Sequence, residues 1–317
     1  MSQRPLKKRL LYLIIDQLAG HWAEGVIVDE EELMPPANVL DYHERGLIPN
    51  FSYIINEGIW VKRPWNRGVC DTSHGIKYLC TGTYDMSVNV GFFEYVKEKY
   101  KDSVKVAVFT TVPWATRGYF YVPDYMISLP PYYRPYNDHL VWTLFVRPYL
   151  EREENWDVVH LYLALNDMVS HCPSYQKRNP HPMSSKHAYM LYLDKLVGEI
   201  TSFLKNKEYW DETILVIASD HGYHLGCEVC RNLGAKTMNW CCDHPTPHDC
   251  YVWDFEKDRK TNKYSGGPRR ITFIISGGGL DNELRGSIVE KAEIIDVIPT
   301  IAKLIGIEFK TEGRSII

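Results

Sequence analysis

Hydrophobic positions along the chain follow two rhythms. Short apolar runs rich in β-branched and aromatic residues, "RLLYLIID" (Arg9–Asp16), "VKVAVFTT" (Val104–Thr111), "VVHLYLAL" (Val158–Leu165), "TILVIAS" (Thr213–Ser219) and "ITFIIS" (Ile271–Ser276), read as strands buried on both faces. Between them lie helical patterns at about Pro49–Glu57, Thr72–Cys80, Val90–Tyr100, His139–Glu151, Lys186–Lys205 and Ile294–Ile305. In the longest of these, Met190, Leu191, Leu193, Leu196, Val197, Ile200 and Phe203 are assigned to one apolar face. Strands that alternate with helices predict an α/β fold: a three-layer sandwich with a central, mostly parallel sheet flanked by helices.

Two stretches break the pattern. Residues 112–136 are rich in proline and aromatics and are expected to form a lid or wall, while residues 223–270 hold a cysteine cluster followed by charged, turn-rich sequence and read as an insertion between two strands. There is no internal repeat, so all 317 residues are expected to form one α/β domain.

Composition narrows the function. A net charge of -4 sets up no field that would gather nucleic acid or an anionic membrane, so neither is expected as a partner. The basic patch before Leu10–Ile15 superficially resembles a secretion signal, but the apolar run is short and Asp16 closes it, so the expected location is cytoplasmic. Five of the 8 cysteines, Cys227, Cys230, Cys241, Cys242 and Cys250, crowd into one stretch, which suits a structural zinc site stapling the insertion and equally suits unligated thiols.

Three strands end in metal-binding residue types: Asp16 after the first, Asp167 and His171 after "HLYLALN", and Asp220 with His221 after "ILVIAS". Strand carboxyl ends share one edge of an open α/β sheet, where ligands bind, so residues distant in sequence can converge there. An aspartate past a strand is more often a turn former or helix cap, and only the joint occurrence shifts the balance. Carboxylates mixed with imidazoles suit zinc first, with manganese or iron as alternatives. Two such cations ~3.5–4 Å apart would clamp the attacking and leaving oxygens of an in-line displacement on a small phosphate ester.

These residues resemble the alkaline phosphatase superfamily, in its phosphodiesterase/nucleotide pyrophosphatase and sulfatase-like branch. The matching segments are "LIID", a nucleophile segment ending in "TG" (Thr81–Gly82), "NDMVSH", "SDHG", "ITFIISGGGL", "EIIDVIPTIAKLIGI" and the closing "EGRSII". Counting nine positions back from Thr81, as the resemblance directs, reaches Thr72 as nucleophile in preference to Ser73 or Cys70. Thr72 would begin a helix whose N–H groups can meet a phosphoryl oxygen, although Thr72 or Asp71 as an ordinary N-cap fits the same position.

The resemblance further implies that Asp16, Thr72, Asp220 and His221 surround one cation, and that Asp167 and His171 hold a second with a third histidine. His248 is favoured for that place over His244, with His224 a lesser candidate; Asn89 would donate to the transferred group. The implied reaction is attack of Thr72 on phosphorus to give a phosphothreonine, then release by water. Sulfatases carry Cys-x-Pro-Ser-Arg at the nucleophile, whereas Cys70 is followed by "DTSH", which disfavours that activity. A phosphonate hydrolase, a phosphoryl transferase using the same residues, or a catalytically silent binding protein on this fold remain the alternatives.

Overall fold

The computed structural model describes residues 5–22, 37–111, 123–129, 137–170, 185–224, 251–254, 259–264 and 266–317, with the backbone alone at 251–254 and 259–264. Ten strands are described: β1 (Arg9–Ile15), β2 (Ile59–Val61), β3 (Val106–Thr110), β4 (Tyr125–Ser128), β5 (Val158–Leu163), β6 (Thr213–Ala218), β7 (Tyr251–Asp254), β8 (Arg259–Tyr264), β9 (Phe273–Ser276) and β10 (Ser287–Val289). Eight of them form one sheet in the order β10-β2-β9-β6-β1-β5-β3-β4, and β7 pairs with β8 in a separate antiparallel hairpin. Only β9 runs against its neighbours in the large sheet, so the expected α/β architecture with a mostly parallel centre is present.

Alternation along β1 explains the layers. Leu11, Leu13 and Ile15 point into one apolar core and Leu10, Tyr12 and Ile14 into the other. On the first face lie α1 (Val39–Glu44), α2 (Pro49–Asn56), a continuous helical stretch made of α5 (Asn137–Leu140), a π segment (Val141–Val146) and α6 (Arg147–Arg152), and the long helix Ser185–Asn206. On the second lie α3 (Thr72–Thr81), α4 (Phe92–Tyr100) and the C-terminal helix Val297–Ile305.

Differences from the sequence reading are local and have physical causes. Leu191 is 39% exposed, because one residue past Met190 turns it about 100° off the buried stripe. The strands β4 and β10 at the sheet's two edges, and β2 next to β10, escape a periodicity search because they are 3 or 4 residues long and no long apolar run marks them. Within the stretch expected to be a wall, 125–128 is the edge strand β4, and within the stretch expected to be an insertion, β7 and β8 form their hairpin. The wall at 112–122 and 130–136, and Cys227, Cys230, Cys241, Cys242 and Cys250 with the structural zinc expected there, lie outside the described residues. Among the described residues no helix is long and apolar enough to cross a membrane.

Two packing features aim the strand ends. A Cβ on Gly75, in the first turns of α3, would lie 2.2 Å from the Asp220 carbonyl oxygen and 2.7 Å from the Asp220 Cβ, so only glycine lets the helix approach the end of β6 this closely. The short helix α7 (Leu165–Ser170) is held from outside: the Leu165 N–H donates to Asp138 Oδ2 at 3.3 Å, the Ala164 N–H donates to Thr111 Oγ1 at 2.9 Å, and the Tyr189 hydroxyl also donates to Asp138 Oδ2.

We expect Gly75→Ala to lower stability by about 1–3 kcal/mol through overpacking against backbone. Denaturant unfolding checks this, and a variant within about 0.5 kcal/mol of the parent would disprove the close approach. Asp138 supplies a pH test, since burial pushes its carboxyl up to about 7. A carboxyl raised above its unfolded value of about 3.9 keeps its proton longest in the folded chain. Its stabilising contribution is therefore complete in acid and lost as pH rises towards 7. Asp138→Asn cannot ionise, so its stability relative to the parent should climb between about pH 4 and 7 and then level off. Parallel curves would refute the assignment.

Candidate functional site

β6, β1 and β5 are adjacent and parallel, so their carboxyl ends deliver three aspartates to one place. Asp16 follows β1 directly, Asp220 lies two residues beyond β6, and Asp167 sits in the first turn of α7 just past β5. Asp16 and Asp220 are buried and Asp167 is half-buried. Such a cluster conflicts with itself electrostatically: burial, joined by the charge of Asp167, raises Asp16, and burial joined by Asp16 holds Asp220 well above the usual carboxylate range.

His221 stands at the centre. Its Nε2 is 3.2 Å from Asp16 Oδ1 and 3.3 Å from Thr72 Oγ1, and its Nδ1 is 3.0 Å from the Gly222 carbonyl oxygen. A carbonyl only accepts, so Nδ1 carries the proton in the neutral ring and Nε2 presents its lone pair to the aspartates. Burial works against the imidazolium, but Asp220, Asp16 and Asp167 outweigh it and push His221 up to about 10.

Thr72 is the first residue of α3, with Asp71 as its N-cap: Asp71 Oδ1 accepts from the His74 N–H at 2.8 Å. The N-cap reading and the nucleophile reading thus fall on adjacent residues and do not compete. Cys70 is buried in the preceding loop with its Sγ donating to the Gly68 carbonyl at 3.5 Å.

Two overlapping groups of side chains have ligand atoms within 4.8 Å of one another: Asp16, Asp220 and His221, and Asp167, His221 and His224. His224 Nε2 lies 3.6 Å from Asp167 Oδ1, and the two histidine rings are 5.2 Å apart. These residues fit a divalent cation. Asp16 Oδ1 is buried with no hydrogen bond among the described residues, and the donors mix carboxylate with imidazole. His171, His244 and His248 lie outside the described residues. Asn89 is exposed in the connection between α3 and α4 and makes no side-chain hydrogen bond to the described residues.

Several participants escaped sequence reasoning. Tyr162, on β5, donates to Asp16 Oδ2 at 2.5 Å and lies 3.3 Å from Asp220 Oδ2, leaving Asp16 Oδ1 as the oxygen aimed at His221. Gln17 donates its backbone N–H to Asp220 Oδ1 at 3.2 Å and its side-chain Nε2 to Asp167 Oδ1 at 2.7 Å. Lys186 carried a signal: it stands four residues before Met190 on the buried stripe, where an apolar residue is the rule.

The sulfatase family profile matches residues 83–307, which take in Asp167, Asp220, His221 and His224 and begin after Thr72. No curated protein sequence matches the chain. Among solved structures, the phosphonate monoester hydrolase of Agrobacterium radiobacter is 13% identical with a TM-score of 0.60, over 98% of this chain and 76% of that one. Murine ectonucleotide pyrophosphatase/phosphodiesterase 5, solved as an inactive threonine-to-alanine variant with AMP, is 12% identical with a TM-score of 0.59, over 98% and 97%. The lipoteichoic acid synthase LtaP from Listeria monocytogenes is 14% identical with a TM-score of 0.58, over 98% and 74%. A profile match over most of the chain, joined to this sheet and its cluster of strand-end ligands, makes the chain a member of the sulfatase family within the alkaline phosphatase superfamily of metal-dependent ester hydrolases.

Proposed function

We propose that the chain hydrolyses phosphate esters in the manner of a phosphodiesterase, with Thr72 as nucleophile and divalent cations, zinc first, held at the strand ends. The observation that carries this reading is the 3.3 Å approach of Thr72 Oγ1 to His221 Nε2, on the first residue of a helix and beside the buried aspartates. A threonine hydroxyl is a poor nucleophile at neutral pH, and cations would supply the Lewis acidity that lowers its pKa and offsets charge on the leaving oxygen.

The chain's own residues do the rest. Asp16, Asp220 and His221 would hold one cation, and Asp167 a second with His171 and a histidine such as His248 or His224. The first N–H groups of α3 face the transferred group at the end of the helix where anions are favoured. Asn89, exposed and without a side-chain hydrogen bond among the described residues, is a candidate donor to that group. Thr72 Oγ gives up its proton to solvent and attacks phosphorus, forming the Oγ–P bond as the ester O–P bond breaks, and the leaving oxygen takes up a proton from solvent. Water then attacks the phosphothreonine and returns the hydroxyl.

Phosphate is favoured over sulfate by the nucleophile. The segment lacks the Cys-x-Pro-Ser-Arg pattern, and the Cys70 thiol is directed at a backbone carbonyl while Thr72 meets His221.

Turnover of p-nitrophenyl phosphate mono- and diesters, a phosphonate monoester and p-nitrophenyl sulfate, each with zinc, manganese and iron, tests the assignment. The phosphate diester should be the best substrate, and Thr72→Ala should lower kcat/KM by more than about 10³-fold. Turnover indifferent to that substitution would remove Thr72 from its role, and faster sulfate hydrolysis would move the chain to the rival activity.

Cation binding has its own readouts. His221, pushed up to about 10, must give up its proton to become a ligand, so apparent zinc affinity should rise with pH below that value, by up to about tenfold per unit. Saturating zinc at about 100 times its dissociation constant should stabilise the fold by about 2.7 kcal/mol over the chelator-treated chain. Unfolding curves that ignore both zinc and chelator would overturn the cation site.

A further inference from the structure

Gln17 bonds to two of the ligand candidates and to two residues behind them. Beyond its donations to Asp220 and Asp167, its Oε1 accepts from Lys186 Nζ at 2.5 Å and from the Ser170 hydroxyl. Lys186 Nζ donates to Oε1, so the amide oxygen faces the lysine and the NH₂ is turned towards Asp167. The backbone at Gln17 has φ 59°, a left-handed conformation that side-chain-bearing residues rarely adopt and that persists when surrounding contacts enforce it.

Lys186 itself is 2% exposed, at the start of the long helix. Its other hydrogen bond runs to the Asn166 carbonyl at 2.6 Å, and its Nζ lies 5.8 Å from the centre of the Tyr223 ring. Burying an ammonium is costly, and here its hydrogen bonds go to two carbonyl oxygens rather than to a carboxylate. Both carbonyls belong to residues adjacent in sequence to a ligand candidate: Gln17 follows Asp16, and Asn166 precedes Asp167. Asn166 closes the loop, because its Nδ2 donates to the Asp16 carbonyl at 2.8 Å.

We propose that Lys186 is a positioning residue for the cation site: acting through Gln17, it fixes Asp167 relative to Asp16 and Asp220 and so joins the ends of β1, β5 and β6 into one ligand frame. This rests on the reading of Asp167 as a cation ligand. A Gln17 amide that is free to rotate would present its oxygen to the Asp167 carboxylate half of the time, repelling the group it now holds. Residues that orient ligands in this way typically change metal affinity about 10–100-fold when removed.

The test is calorimetric titration of the full-length, chelator-stripped chain with zinc, comparing wild type, Lys186→Met, Gln17→Met, the double variant and Asp167→Asn. Methionine fills the space without donating. The zinc-binding event lost in Asp167→Asn should be the one weakened about 10–100-fold in Lys186→Met. If Lys186 works through Gln17, the double variant should bind no more weakly than the weaker single variant. Unchanged zinc affinity in Lys186→Met, or penalties that multiply in the double variant, would overturn the inference. Should Lys186→Met fail to fold, Gln17→Met decides alone: weaker zinc binding supports the frame, and wild-type affinity refutes it. A wild type that binds zinc while its variants match it overturns this inference only. A wild type that takes up no zinc overturns the functional reading with it.

Discussion

The structure depends on one electrostatic constraint: three aspartates are brought together at the ends of adjacent parallel strands, two of them wholly buried. Like charges that close in low dielectric cannot all stay ionised without compensation. Each nearby polar group is a partial answer. Tyr162 donates to Asp16, two backbone N–H groups donate to Asp220 Oδ1, and the carboxylates push His221 up to about 10, which brings positive charge to 3.2 Å from Asp16 Oδ1. A divalent cation is the fuller answer, because it supplies the positive charge that these dipoles only approximate.

The same constraint explains the tight packing around the site. The chain at Asp220, just past β6, packs its backbone carbonyl and Cβ against the first turns of α3, and Gly75 permits the approach. Any side chain there would push the helix, and Thr72 with it, away from His221. The nucleophile candidate is thus positioned by the absence of a methyl group three residues later, and by the Asp71 cap that fixes where the helix begins.

Much of this was legible in the sequence because the relevant signals are local. The five central strands read correctly from their apolar runs, since a strand covered on both faces has no polar phase to disguise it. Asp16, Asp167, Asp220 and His221 could be picked out as candidates because a polar residue closing such a run is visible without knowing the fold, and the structure brings the four together. The short strands β2, β4 and β10 were not legible, and neither was the supporting cast. Gln17 looks like a turn residue, and its importance lies in contacts with Asp167, Ser170 and Lys186 that span 150, 153 and 169 positions. Tyr162 looks like strand filler until β5 is set beside β1. His224 ranked below His248 and His244 because sequence spacing cannot say which histidine of "DHGYHLG" turns inward; its ring lies beside that of His221.

The division between Thr72 and Cys70 follows from helix geometry. A residue at the first position of a helix has its backbone fixed and its side chain beside N–H groups that attract an anion, whereas a residue two positions earlier belongs to the approaching loop. Cys70 is drawn into that loop's own hydrogen bonding, with its thiol on the Gly68 carbonyl. A reacting phosphoryl group needs its nucleophile, its anion-binding N–H groups and its charge-compensating ligands within one small volume. Thr72, at the head of α3 and against His221, stands where those three requirements intersect.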